Sequence, residues 1–153
     1  MRKQLTKGFA MLMLVMALAF VTAVVSANGQ SQQSRATVPF DFIVGDKTLP
    51  AGDYSVQSIN SAGDALRIGN AAANQAAVRL TIQLDANANC SKLVFHRYGQ
   101  HYFLAEVWTD GGQGRQLMKS RQERAIEKEG TRVASLSHAP RPTYETVAIT
   151  TAN

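Results

Sequence analysis

The stretch Lys92-Leu93-Val94-Phe95-His96-Arg97-Tyr98-Gly99-Gln100-His101-Tyr102-Phe103-Leu104-Ala105-Glu106-Val107-Trp108 holds the chain's single Trp, two of its four Tyr and two of its three His. Its one break is Gly99-Gln100. A two-residue loop led by Gly suits a mirrored turn, whose first central residue takes a positive φ, so the stretch reads as a β-hairpin. That register pairs Tyr98 with His101, His96 with Phe103 and Val94 with Ala105. It sends Leu93, Phe95, Arg97, Tyr102, Leu104, Glu106 and Trp108 to the opposite face. Neither face is polar throughout. A hairpin apolar on both sides must be covered on both sides. The expected fold is therefore mostly β: an antiparallel β-sandwich or barrel-like sheet of about six to eight strands, with one C-terminal surface helix.

The flanking sequence supplies short strands and turns. Val38, Phe40, Phe42 and Val44 recur at period two and predict one strand face. Pro39 has no donor, so that strand starts there or lies at an edge. Gly45-Asp46-Lys47 and Leu49-Pro50-Ala51-Gly52-Asp53 read as turns. Tyr54 to Ile59 and Ala65 to Ile68 have strand character, followed by a small-residue loop from Gly69 to Gln75. Val78, Leu80, Ile82 and Leu84 alternate with Arg79, Thr81 and Gln83, which predicts a strand with its apolar side turned inward. Residues 115–129 contain neither Pro nor Gly and predict a helix stopped by Gly130. Its apolar stripe (Leu117, Met118, Ala125, Ile126) is narrow, which suits a surface position, and Lys119 and Glu123 stand four apart as a pair. Ala139-Pro140-Arg141-Pro142 reads as a linker, and 143–151 as a last strand or a tail.

The N-terminus has three zones. Arg2, Lys3 and Lys7 lie in the first, an apolar run from Phe9 to Val25 follows, and Val25-Ser26-Ala27 has the small-residue spacing of a cleavage site. Residues 1–27 thus read as a secretory signal peptide, with a retained membrane anchor as the rival. The polar 28–35 reads as a flexible leader, and 36–138 as the β domain. Three of the 16 basic residues and none of the 11 acidic ones fall in 1–27, so the remainder carries 13 against 11, a net +2. No stripe of Lys and Arg interleaved with aromatics appears, so nucleic acid is not an expected partner. The single cysteine, Cys90, has no partner for an internal disulfide and reads as a small, partly buried residue.

Few residues suggest chemistry. Glu106 interrupts an apolar strand, and a buried carboxylate there needs a partner or a shifted pKa. It is either a general acid or base, or one half of an ion pair with Arg97, Lys92 or Arg79. His96 and His101 flank the turn on one face, but a zinc site wants three or four converging ligands, and no motif places Cys90 or His138 as the third. Tyr98, His101, Tyr102 and Trp108 are candidates for a binding platform, although aromatic residues in strands more often belong to the core. Gly111-Gly112-Gln113-Gly114-Arg115 lacks the Gly-Lys-Ser/Thr end of a phosphate-binding loop.

Val38-Pro39-Phe40-Asp41-Phe42-Ile43-Val44-Gly45, Leu49-Pro50-Ala51-Gly52-Asp53-Tyr54, Arg97-Tyr98-Gly99, Tyr102-Phe103-Leu104 and Val107-Trp108, with Lys119-Ser120-Arg121 beyond them, resemble the motifs of a group of small exported proteins of acidobacterial type. The resemblance covers most of the chain after the leader. It implies export and a single domain, and it carries over no functional residue. Together these readings describe an exported, non-enzymatic β domain of the cell envelope with a binding or structural role, in the periplasm or outside the cell. The alternatives are a hydrolase-like enzyme built on Glu106 and a metal-binding module built on His96 and His101. No cofactor is implied. The expected partner is a protein or a polysaccharide, with membrane contact only through the leader before cleavage.

Overall fold

The computed structural model describes residues 33–87, 90–109, 112–137 and 143–152. Along the chain these form β1 (Gln33–Val38), β2 (Phe42–Val44), β3 (Lys47–Leu49), β4 (Gly52–Ser58), β5 (Ala65–Asn70), β6 (Gln75–Asn87), β7 (Lys92–Tyr98), β8 (His101–Trp108), β9 (Gln113–Leu117), α1 (Arg121–Ser137) and β10 (Glu145–Thr150). The fold is mostly β with one C-terminal helix, as the hairpin requires. The described residues form ten strands rather than six to eight, and the sheet is mixed, because Ile43 of β2 pairs in parallel with Phe103 of β8.

Two antiparallel ladders share β6. Its first half, from Gln75 to Leu80, pairs with β5, which continues to β4 and β1. Its second half pairs with β9, which leads through β8 and β7 to β10. A strand of 13 residues is long enough to turn this corner. The chain just past β10 meets β1 through an isolated bridge, in which the Arg35 and Ala152 amides each donate to the other's carbonyl at 2.8 Å. The layout is thus barrel-like, with ladders that do not close.

The interior is built from one face of each strand. Val38, Phe42, Val44, Leu49, Tyr54, Val56, Ile68, Leu93, Phe95, Leu104 and Val107 are buried together. Phe42 meets Tyr54 and Phe95 edge to face at centroid distances of 4.9 and 5.3 Å, a favoured aromatic geometry. The one polar atom Tyr54 brings in is satisfied, since its hydroxyl donates to the Pro50 carbonyl at 2.6 Å.

The hairpin turns at Gly99 with φ +61°, and Tyr98 pairs with His101 and His96 with Phe103 as expected. The third expected pair is wrong. A bulge displaces Ala105, so Phe95 faces Leu104 while Val94 faces Glu106. One extra residue reverses the facing of everything beyond it. Leu104 and Val107 therefore both enter the core, whereas Glu106 and Trp108 join Val94 and His96 on the outer face.

Several other expectations are corrected. Gln33, Ser34 and Arg35 are not leader but the start of β1. Pro39 separates two strands with different partners, and Phe40 sits between them, stacked on Tyr102 at 3.9 Å. Residues 115–117 belong to β9, because pairing on both sides with β6 and β8 overrides helix propensity. The helix instead starts at Arg121 and runs through Gly130 to Ser137. Gly114 therefore lies in a strand and not in a connection that leads directly into the helix. Residues 143–151 contain the strand β10. Cys90 is exposed. The signal peptide, the linker at 139–142 and His138 lie outside the described residues.

Gly114 gives the fold a sharp test. A Cβ built there stands 2.6 Å from the Trp108 indole, which lies across the strand. Gly114→Ala is expected to lower stability by about 1–3 kcal/mol, as overpacking does. The readout is the urea midpoint followed by Trp108 fluorescence, and an unchanged midpoint contradicts the packing described.

Candidate functional site

Two regions of the outer face carry the candidate chemistry, one covered by α1 and one bare. Ser120 caps the helix: its Oγ accepts from the Glu123 amide at 3.0 Å. Ser120-Arg121-Gln122-Glu123 is a capping-box sequence, but the Glu123 side chain reaches the sheet. Its Oε1 lies 2.9 Å from His96 Nδ1, with the two residues 3% and 7% exposed. Tyr144 stacks on the imidazole at a centroid distance of 3.8 Å. The Tyr98 hydroxyl donates to Glu127 Oε1 at 2.6 Å, and Lys119 Nζ also donates to Glu127. Lys119 thus pairs with Glu127, not with Glu123.

This cluster is a polar lock between helix and sheet. The docked helix face carries Glu123, Glu127, Gly130 and Ala134 at helical spacing, acidic at its start and small-residued at its end. The charges explain the pKa directions. Burial pushes the Tyr98 hydroxyl up, and its bond to Glu127 adds to this. The bond to Glu127 holds the Lys119 ammonium above its usual range. Burial is the largest influence on Glu127 and acts upward, but Lys119 and Tyr98 together outweigh it and hold the carboxyl below its usual range.

The other candidates separate from this cluster. Glu106 is half-buried and accepts from the Trp108 indole N–H at 2.8 Å. Among the described residues it has no ion pair with Arg97, Lys92 or Arg79; Arg97 pairs with Glu145 and Arg79 with Asp46. Lys92 sits over the Trp108 ring at 5.7 Å. Trp108 is buried across Gly114, Tyr102 is half-buried against Phe40, and His101 is exposed at the hairpin tip. Tyr98 and Trp108 stand at opposite ends of the hairpin, and Tyr102 faces the other side from both, so the four aromatic candidates do not form one platform. His96 is engaged with Glu123, and among the described residues no three His, Cys, Asp or Glu side chains converge to hold a metal.

The bare region was misread from the sequence. Val78, Leu80 and Ile82 point outward, each more than half exposed, while Ala77 and Thr81 are buried. Register makes the patch continuous. Ile59 lies opposite Ala65, bonding to its carbonyl at 2.9 Å, and Ala65 pairs with Leu80. Met118 lies one residue past the Thr81–Leu117 pair, beside Leu80, and is 67% exposed. The apolar cross of Ile59, Leu80 and Met118 with Val78 and Ile82 has basic residues around it. Arg67 pairs with Val78 on the same face, and Arg121 and Arg124 open the helix. A cavity of about 390 Å³ between patch and helix is lined by Val78, Leu80, Met118, Arg121 and Arg124 among others. Inside, Arg79 tolerates its inward start by reaching out to the Val44 carbonyl at 3.2 Å.

Comparison of the chain with protein-family models, curated proteins and solved structures finds no match. Among the described residues, no helix is long and apolar enough to cross a membrane.

The sequence reading missed Glu123, Glu127 and Lys119 as partners of the hairpin. The available signal was Ser120-x-x-Glu123, which marks the helix start. Nothing marked the outward facing of β6, since alternation is the same whichever face is buried.

Two outcomes follow from the lock. Glu123→Ala leaves a buried imidazole nitrogen without its partner and is expected to cost about 1–3 kcal/mol, whereas exposed Arg121→Ala stays within about 0.5 kcal/mol; denaturant midpoints measure both. The pH response has two sides. Glu127 has a lowered folded pKa, so its contribution is present at neutral pH and lost as pH falls through that value. Lys119 and Tyr98 have raised folded pKa values, so theirs is complete below the unfolded values and lost as pH rises through the folded ones. Amide exchange in α1 should therefore quicken in acid before the core does, and Glu127→Gln should flatten that acid response.

Proposed function

We propose that this chain is an exported β domain of the cell envelope with a binding role, and not an enzyme. The observation that carries the reading is the exposed apolar patch of Ile59, Val78, Leu80, Ile82 and Met118 on an ordered sheet. Contiguous apolar surface of this kind on a folded domain marks an interaction site. The groups best suited to acid–base work have other tasks: His96 and Glu123 hold α1 down, and Glu106 accepts from Trp108. The basic, apolar and small-residue zones of residues 1–27 support export.

The test is expression of the whole chain in a bacterial host. The expected product outside the cytoplasm begins at Asn28, read by mass spectrometry, and fractionates with the envelope. Leu80→Asp, changed at an exposed position, should fold normally and shift toward the soluble fraction by about tenfold or more, the equivalent of the ~1.5 kcal/mol or more that burying one Leu contributes. An unprocessed cytoplasmic product, or a partition unaffected by Leu80→Asp, overturns the reading.

A further inference from the structure

We propose that the β6 patch is a docking surface for a lipid bilayer bearing anionic head groups. This deepens the binding reading above and rests on it. It also places the folded domain itself at the membrane, where the sequence suggested contact through the leader alone.

The choice of occupant follows from charge and shape. Arg67, Arg121 and Arg124 are exposed, and no carboxylate among the described residues forms an ion pair with them. Arg121 and Arg124 are three apart on a helix, so both project from one side of its first turn, beside Met118 and Leu80. Asp46, the acid in the cavity lining, is paired with Arg79. An apolar centre with free cations at its rim matches a layer of acyl chains beneath anionic groups.

Two rival occupants fit less well. A two-fold dimer through the same patch would gather the Arg67, Arg121 and Arg124 guanidinium groups of both copies around one interface. A stable protein pair needs about 800 Å² of surface per side. The apolar run of β6 from Val78 to Ile82 extends only about 14 Å, with Ile59 and Met118 beside it. A few protruding aliphatic side chains with adjacent cations suffice for an interfacial mode of binding.

The experiment is vesicle co-sedimentation of the fragment beginning at Asn28. It retains the whole compact unit Ser31–Asn153 and omits the apolar run that would bind lipid by itself. The probes are vesicles of phosphatidylglycerol mixed with phosphatidylcholine, and vesicles of phosphatidylcholine alone. The expected result is sedimentation with the anionic vesicles only, released at roughly 1 M salt, where screening acts within about 3 Å. Leu80→Asp with Ile82→Asp should weaken it by about tenfold or more, as should Arg121→Gln with Arg124→Gln. Arg121→Lys with Arg124→Lys should restore it, with circular dichroism and Trp108 fluorescence reporting the fold of each variant. Absence of sedimentation with anionic vesicles, or equal sedimentation of wild type and folded Asp variants, overturns the lipid proposal. The binding reading is tested separately, by the processing and the Leu80→Asp partition measured in the cell.

Discussion

The structure depends on a hairpin whose two strands are apolar on both faces. Leu93, Phe95, Leu104 and Val107 fill the interior, while Val94, His96 and Phe103 are buried on the outside. Left bare, that outer side would expose a wide apolar surface, so something has to lie across it. The chain uses α1, and the way it does so is unusual for a surface helix. The docked face opens with two carboxylates rather than with an aliphatic stripe. Each is satisfied by a group on or beside the hairpin: Glu123 by His96, and Glu127 by Tyr98 and Lys119. Such a lock is directional, since imidazole, phenol and ammonium accept only one placement of the helix.

The helix locks onto the outer face at His96 and Tyr98 of β7, while the outer face of β6 keeps Val78, Leu80 and Ile82 exposed. The same sheet surface therefore has two halves with different fates. In the covered half, polar groups are drawn inward and paired. In the open half, aliphatic groups stand in solvent with guanidinium groups beside them. The contrast follows from the turn of β6 from one ladder to the other. Its inward positions fall at the rim of the barrel-like interior, where Ala77 and Thr81 are small enough and Arg79 reaches outward to Val44. The larger aliphatic residues are left to the outside.

Much of the hairpin was legible from residues 92–108. Gly99 at the head of a two-residue loop, period-two patterning and apolar residues on both sides led to the right turn, the first pairs and the need for a cover. The bulge at Ala105 was not legible, because an extra residue in a ladder leaves no mark in a run of Leu, Ala, Glu and Val. Its consequence was large: it moved Glu106 and Trp108 to the other face, where Glu106 takes the Trp108 indole as its partner and not Arg97, Lys92 or Arg79. The helix was placed six residues too early, since Arg115, Gln116 and Leu117 suit a helix by propensity but are held in β9 by neighbours on both sides.

By itself the sequence determined the local periods: where strands alternate, where Gly permits a turn, and that one helix accompanies a β domain. These follow from backbone geometry and side-chain size, which act between near neighbours. Tertiary structure decided which face of each strand lies inside, where the ladder slips, and which partners the charged side chains find. Alternation is symmetric under exchange of inside and outside, and a carboxylate on a helix does not announce the imidazole 27 residues away that will hold it. Those choices are made only when all strands compete at once for one interior.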